Sequence, residues 1–231
     1  MFTLRPAQER GRTRAGWLDS AHSFSFGQYY NPAAMGFRGL RVINDDRVTP
    51  KAGFPTHGHK DMEILSVVVE GELAHRDSLG NGSVIRPGEV QIMSAGTGIT
   101  HSEFNNTAGP LRFLQIWLPP ATRGLAPRYD QKRFPPEERQ GRLGLLVSPD
   151  GADGSVVIHQ DARVYGGFFD AGQSARFEIP AGRFAYVQVV RGRARVNDVA
   201  MAEGDGLELS AESALRIEGV EGSEILVFDL A

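Results

Sequence analysis

The chain has 231 residues, 28 acidic against 25 basic side chains and a formal net charge of -3. That length allows two ordinary domains with a substantial core, and so slight a charge gives no electrostatic reason to expect nucleic acid as a partner. The absence of cysteine excludes disulfides, thiolate metal ligands and iron–sulfur clusters, while the lack of an apolar leader or a membrane-length apolar run makes a cytoplasmic location without a membrane partner the expectation.

In chain order, Phe2–Arg5 predicts a short first strand. Residues 11–39 are rich in Gly, Ser, Asn and aromatics without helical period and read as loops over a sheet, their aromatics (Trp17, Phe24, Phe26 and Tyr29 among them) filling core or lining a pocket mouth. The basic alternation at Arg10, Arg12 and Arg14, repeated at Arg191, Arg193 and Arg195, reads as a solvated face. Residues 40–43 and 47–49 predict two short strands leading into the stretch 53–105, which holds four of the six histidines.

In its first arm, a Gly/Pro turn at Gly53 to Pro55 leads into a strand carrying His57 and His59, followed by Glu63 and the β-branched run to Val69. Strand side chains alternate faces, so the two histidines point the same way about 7 Å apart. The second arm places His101 and Glu103 at the same spacing after the tight turn Gly96 to Gly98. Two strands thus offer two ligands each, and three neutral imidazoles with one carboxylate suit Fe, Ni, Co, Cu, Zn or Mn with coordination positions to spare. Glu63 shares parity with His57 and His59 and is the competing carboxylate. His22 and His75 read as surface or hydrogen-bonded structural histidines, and His159 as the polar end of a strand.

Strands predicted at 83–85, 90–93 and 111–118, with turns between them, indicate an antiparallel sandwich or barrel. Pro119 and Pro120 open a proline- and charge-rich passage with a brief helical turn at 137–140. The expected domains are residues 1–119, a linker over 120–141, and 142–231. The second half echoes the first: 179–184 parallels 49–54, 187–192 parallels 67–71, and 203–205 parallels 87–89. No histidine follows His159, so the second copy lacks a histidine metal site.

The positions of His57, His59, Glu63 and Gly71, and of Gly88, Gly96, His101 and Asn105, resemble the two motifs of the cupin superfamily. The departures, with Gly53 two residues nearer the first histidine and His101 two residues later than usual, resemble the pirin branch, in which a glutamate two residues after the second-motif histidine is the fourth ligand. The resemblance to bacterial pirin-like quercetin 2,3-dioxygenases extends through 16–19, 23–26, 41–45, 91–96 and 127–129. It implies a bicupin of two tandem antiparallel β-barrels of jelly-roll type. It also implies one divalent metal, iron foremost, on His57, His59, His101 and Glu103, and cleavage of a flavonol with O2, with Glu103 as ligand and candidate base. Glu63 or water is the other candidate base. The alternative functions are a metal- or redox-sensing regulator that binds a protein partner, and a cupin isomerase or lyase requiring a cation in its pocket.

Overall fold

The computed structural model describes residues 1–231, which cluster into two compact units. One comprises Gly11–Arg133 and Ile158–Gln160; the other comprises Met1–Arg10, Phe134–Val157 and Asp161–Ala231. Strands and three short 3-10 turns are the only regular elements, so the all-β expectation holds. No helix is long and apolar enough to cross a membrane.

Strand β1 (Phe2–Arg5) belongs to the second unit. The first unit carries β2 (Gly11–Arg14), β3 (Leu18–His22), β4 (Val42–Val48), β5 (Gly53–His59), β6 (Glu63–Glu70), β7 (Leu73–Asp77), β8 (Gly82–Ile85), β9 (Glu89–Ser94), β10 (Ile99–Phe104), β11 (Leu111–Leu118) and β12 (Arg128–Arg133). They form a seven-stranded sheet in the order β12-β9-β6-β11-β4-β3-β2 and a four-stranded sheet in the order β5-β10-β7-β8, with every pairing antiparallel. Val48, Val68 and Phe113 of the larger sheet and Leu73 and Ile85 of the smaller pack in one buried cluster. Each such side chain contributes roughly 1.5–3 kcal/mol by leaving water.

Three readings of this region are corrected. Residues 11–39 are not loops throughout, for they contain β2 and β3; edge strand β2 is Gly-Arg-Thr-Arg, charged as exposed edges commonly are and therefore without an apolar signature. The two short strands expected around 40–49 are one strand, β4, whose middle holds the buried polar residues Asn44, Asp45 and Asp46. The expected linker contains β12, which pairs with β9, and residues 1–10 cluster with the second unit because β1 pairs with Gly206–Leu209.

The second unit adds β13 (Gly144–Ser148), β14 (Val156–Val157), β15 (Ala162–Phe169), β16 (Ser174–Glu178), β17 (Phe184–Val196), β18 (Val199–Ala202), β19 (Gly206–Leu209) and β20 (Ala214–Leu230). Its sheet runs β1-β19-β17-β20-β15-β13-β14, with β16 on β20 and β18 on β17. Strands β17 and β20 are long and bend at register shifts near Gly192, which has φ +75° and whose added Cβ would lie 2.2 Å from the Gly222 carbonyl. The interior is aliphatic: Val187, Val189, Leu207, Ile217, Ile225 and Val227 are fully buried. Arg191, Arg193 and Arg195 pair with Glu224, Glu221 and Glu218 at 3.0, 3.5 and 3.8 Å, as the solvated-face reading expects. All six histidines lie in the first unit.

Candidate metal centre

The site is built on the pairing of β5 with β10. His57 stands directly opposite His101, and His59 opposite Ile99. Beyond His101 the register shifts, so that Glu103 faces Phe54, and the extra residues on β5 include Pro55. Proline suits this irregularity because it has no N–H to offer a ladder; its carbonyl instead lies 2.8 Å from His57 Nδ1. At the start of β5, an added Cβ on Gly53 would lie 2.2 Å from the Glu103 carbonyl, so only glycine allows the strands this close. Gly53 therefore acts within the strand pair rather than in the expected turn.

His101 Nε2 lies 3.0 Å from His59 Nε2 and 3.1 Å from His57 Nε2. Hydrogen bonding cannot satisfy this convergence. With His57 Nδ1–H donated to Pro55, the His57 Nε2 of a neutral ring is an acceptor, and a single proton on His101 Nε2 serves one neighbour only. Burial, reinforced by the neighbouring imidazoles, pushes His59 down to about 4 and His101 down to about 3, so both rings are neutral at pH 7. Three imidazole nitrogens facing one point form a cation site, and a divalent metal satisfies all three at once.

Glu103 is buried on the same face of β10, two residues past His101. Its Oε2 accepts from Gln115 Nε2 at 2.8 Å and its Oε1 from Ser66 Oγ at 3.4 Å. Burial first, and then the Asp46 carboxyl, push its pKa up to about 8 against those two donors. A cation would draw it back down. The three imidazoles group together within 4.8 Å, whereas Glu103 groups at that distance with His101 and His75.

Glu63 lies elsewhere. Residues 60–62 separate β5 from β6, with Asp61 in the left-handed region at φ 49°, so strand parity does not carry from His59 to Glu63. Its buried carboxylate accepts from Ser94 Oγ at 2.9 Å and from the His159 backbone N–H at 3.1 Å. His159 follows β14 in irregular backbone instead of ending a strand, and its Nδ1 is 3.5 Å from Glu63. His22 matches its structural reading: it is buried between Thr13 Oγ1 at 2.8 Å and Asn44 Oδ1 at 2.7 Å. His75 is not a surface residue; it is buried opposite Glu103 on β7, its Nε2 3.2 Å from Asp77 and its ring 5.3 Å from that of His101.

Beside the histidines is a cavity of about 640 Å³ with His57 and His59 in its wall. Phe26, Phe54 and Trp117 give it flat apolar surface, and Ser20, Asp46 and Gln115 add a polar strip. Both its size and its mix of surfaces fit a small aromatic molecule. Asp46 is fully buried, and its pKa is pushed up to about 7 by burial, against a hydrogen bond from Ser20 and with help from Asp45. Sequence reasoning missed Asp46, Ser66 and Gln115; the available signal was polar residues at alternating positions inside apolar strands, as at Asn44 and Asp46.

The sequence pattern of the pirin family matches residues 3–118, and that of the quercetinase C-terminal cupin domain matches residues 145–230. A quercetin 2,3-dioxygenase of Escherichia coli (strain K12) is 47% identical over 231 residues, covering 100% of this chain and 99% of that protein. A putative quercetin 2,3-dioxygenase of Pseudomonas aeruginosa is 43% identical over 232 residues, covering 100% of both chains. Among solved structures, bacterial pirin YhhW from Escherichia coli in complex with nickel(II) aligns with a TM-score of 0.95 and 47% identity, covering 100% of this chain and 99% of that one.

Proposed function

The chain belongs to the pirin family of bicupins, and from that premise we propose that it is a metal-dependent quercetin 2,3-dioxygenase. The reaction consumes a flavonol and O2: the carbon bearing the 3-hydroxyl leaves as carbon monoxide, and both oxygen atoms of O2 remain in the depside formed from the rest. His57, His59, His101 and Glu103 are the proposed ligands of one divalent cation, with iron the proposed native metal. The nickel(II) complex of the Escherichia coli pirin supports a divalent ion at such a site without deciding which. The observation that carries the reading is the convergence of three imidazole nitrogens at 3.0 and 3.1 Å beside an aromatic-lined cavity.

When bound, the cation supplies Lewis acidity that lowers the pKa of a coordinated hydroxyl. The protein's residues do the rest. Phe26, Phe54 and Trp117 bind a planar ring system and exclude water. Glu103, buried among hydrogen-bond donors, is the proposed acceptor of the substrate's 3-hydroxyl proton. Glu63 suits that role less well, because its carboxylate is committed to Ser94 and the His159 backbone and it groups with none of the histidines that converge, whereas Glu103 groups with His101. A cytoplasmic location fits the cysteine-free composition and forms part of the proposal.

The test is aerobic incubation of quercetin with metal-loaded protein, following flavonol absorbance, O2 uptake and carbon monoxide release against a His57→Ala control. Carbon monoxide from wild type alone is expected. Equal bleaching by both proteins, or no carbon monoxide, overturns the reading and leaves a non-enzymatic pirin-type regulator with a protein partner as the account of the same site.

A further inference from the structure

A chain of two residues, Trp117 and Gln115, leads to Glu103, and its hydrogen bonds run in one direction only. Trp117 Nε1 donates to Gln115 Oε1 at 3.0 Å, and Gln115 Nε2 donates to Glu103 Oε2 at 2.8 Å. Both residues lie on β11 at i and i+2, so they share a face, and both border the cavity. An indole N–H can only donate. It therefore fixes which end of the Gln115 amide is oxygen and obliges the amide NH2 to face the glutamate. Without that indole N–H the amide oxygen loses its partner and the amide is held on one side only, so its NH2 is less firmly aimed at the carboxylate. Trp117 is itself held in place: its ring meets His59 edge-on at 5.0 Å and 83°, and Phe26 at 5.3 Å and 87°.

We propose that Trp117 and Gln115 are a positioning pair that fixes the orientation of the Glu103 carboxylate for the cation, so that a wall of the substrate cavity is wired to the metal centre through one amide. The inference rests on the metal-site reading above. Gln115 Nε2 occupies one lone-pair direction of Oε2 and Ser66 Oγ meets Oε1, which pins the carboxylate plane and leaves its remaining lone pairs for a cation. Outer partners of metal-binding carboxylates act in this way, and their loss typically costs roughly 10- to 100-fold in metal affinity.

The experiment is a double-mutant cycle on Ni(II) affinity, measured by competition with a chromogenic chelator on metal-stripped, full-length protein. Gln115→Met keeps the volume and removes both hydrogen bonds; Trp117→Phe keeps an aromatic ring of smaller size and removes the indole N–H. Gln115→Met is expected to weaken Ni(II) binding about 10-fold or more, and Trp117→Phe by a smaller factor of about 3 or more. The double variant is expected to bind as Gln115→Met does, because the indole acts only through the amide. Co(II) absorption supplies a readout that a loss of packing would not move. The spectrum of the Gln115→Met protein should shift toward that of Glu103→Gln, while melting temperatures confirm that each variant is folded. Additive losses, an unchanged cobalt spectrum, or Ni(II) affinity within twofold of wild type in Gln115→Met would each overturn the wiring. A wild-type protein that binds neither ion would overturn the metal-site reading itself, and the inference with it; that failure appears in the wild-type titration, before any variant is compared.

Discussion

Asp46 offers a direct measure of how strongly the cavity floor is desolvated. Its carboxyl is 2% exposed, and burial raises its pKa from 3.8 to about 7. An acid whose pKa is raised on folding keeps its proton longer in the folded state, so in metal-free protein the unfolding free energy falls as pH climbs from about 4 to about 7. Above that window the deficit is complete. Each tenfold change in a protonation equilibrium is about 1.4 kcal/mol, so the rise sets a ceiling of ~4 kcal/mol. Asp46→Asn keeps the size and a partner for Ser20 but cannot ionise. Metal-stripped wild type and variant should therefore be about equally stable at pH 4, with the variant ahead at pH 8 by up to about 8–16 °C, taking roughly 2–4 °C per kcal/mol for a chain of this size. Thermal melts followed by tryptophan fluorescence isolate the relevant unit, because Trp17 and Trp117 both lie in it. A gap that is constant across pH, or one that favours wild type at pH 8, would refute the desolvation argument.

Changing His57, His59 or His101 to Ala should reduce bound metal by at least about 10-fold in dialysis against a chelator, whereas Glu63→Gln should retain the metal and lose thermal stability, since its partners are Ser94 and His159. Metal-to-chain stoichiometry should be one, because the second unit contains no histidine and its interior is aliphatic; a ratio of two that survives a chelator wash contradicts this. Arg112 donates from Nε and Nη2 to the buried Asp45 at 2.9 Å each. Arg112→Met should therefore destabilise the protein by up to about 3–5 kcal/mol in denaturant unfolding, because it removes the two short hydrogen bonds of a buried carboxylate and leaves the longer contact with Arg47 at 3.5 Å, and adding Asp45→Asn should recover part of the loss.

The fold was legible where a strand is buried on both faces. Strand β11, apolar at six of its eight positions, and the β-branched part of β6 stand out in the sequence because both faces of these strands are covered. What was illegible had polar interiors or charged edges. β4 reads as two fragments because Asn44, Asp45 and Asp46 interrupt it, yet each of these residues is buried with partners that lie far away in sequence. β2 gave no signal because an edge strand is stabilised by its neighbour's backbone rather than by its own side chains. The role of β1 was equally hidden: its partner β19 lies some two hundred residues away, and nothing local encodes that pairing.

The site was legible for a different reason, namely that ligand geometry is local. Two residues at i and i+2 on a strand share a face whatever the tertiary structure, so the pairs His57/His59 and His101/Glu103 could be written down before any fold was known. The same rule misleads at Glu63, because parity is a property of one continuous strand and the left-handed residue Asp61 ends that continuity. What no local rule reaches is the environment that makes these side chains useful. The neutrality of His59 and His101 comes from burial and from neighbouring imidazoles, and the amide that meets Glu103 is delivered by β11 with its polarity set by an indole two residues on. Spacing can therefore nominate candidate ligands, but the hydrogen bond that meets the Glu103 carboxylate comes from β11, which belongs to the other sheet.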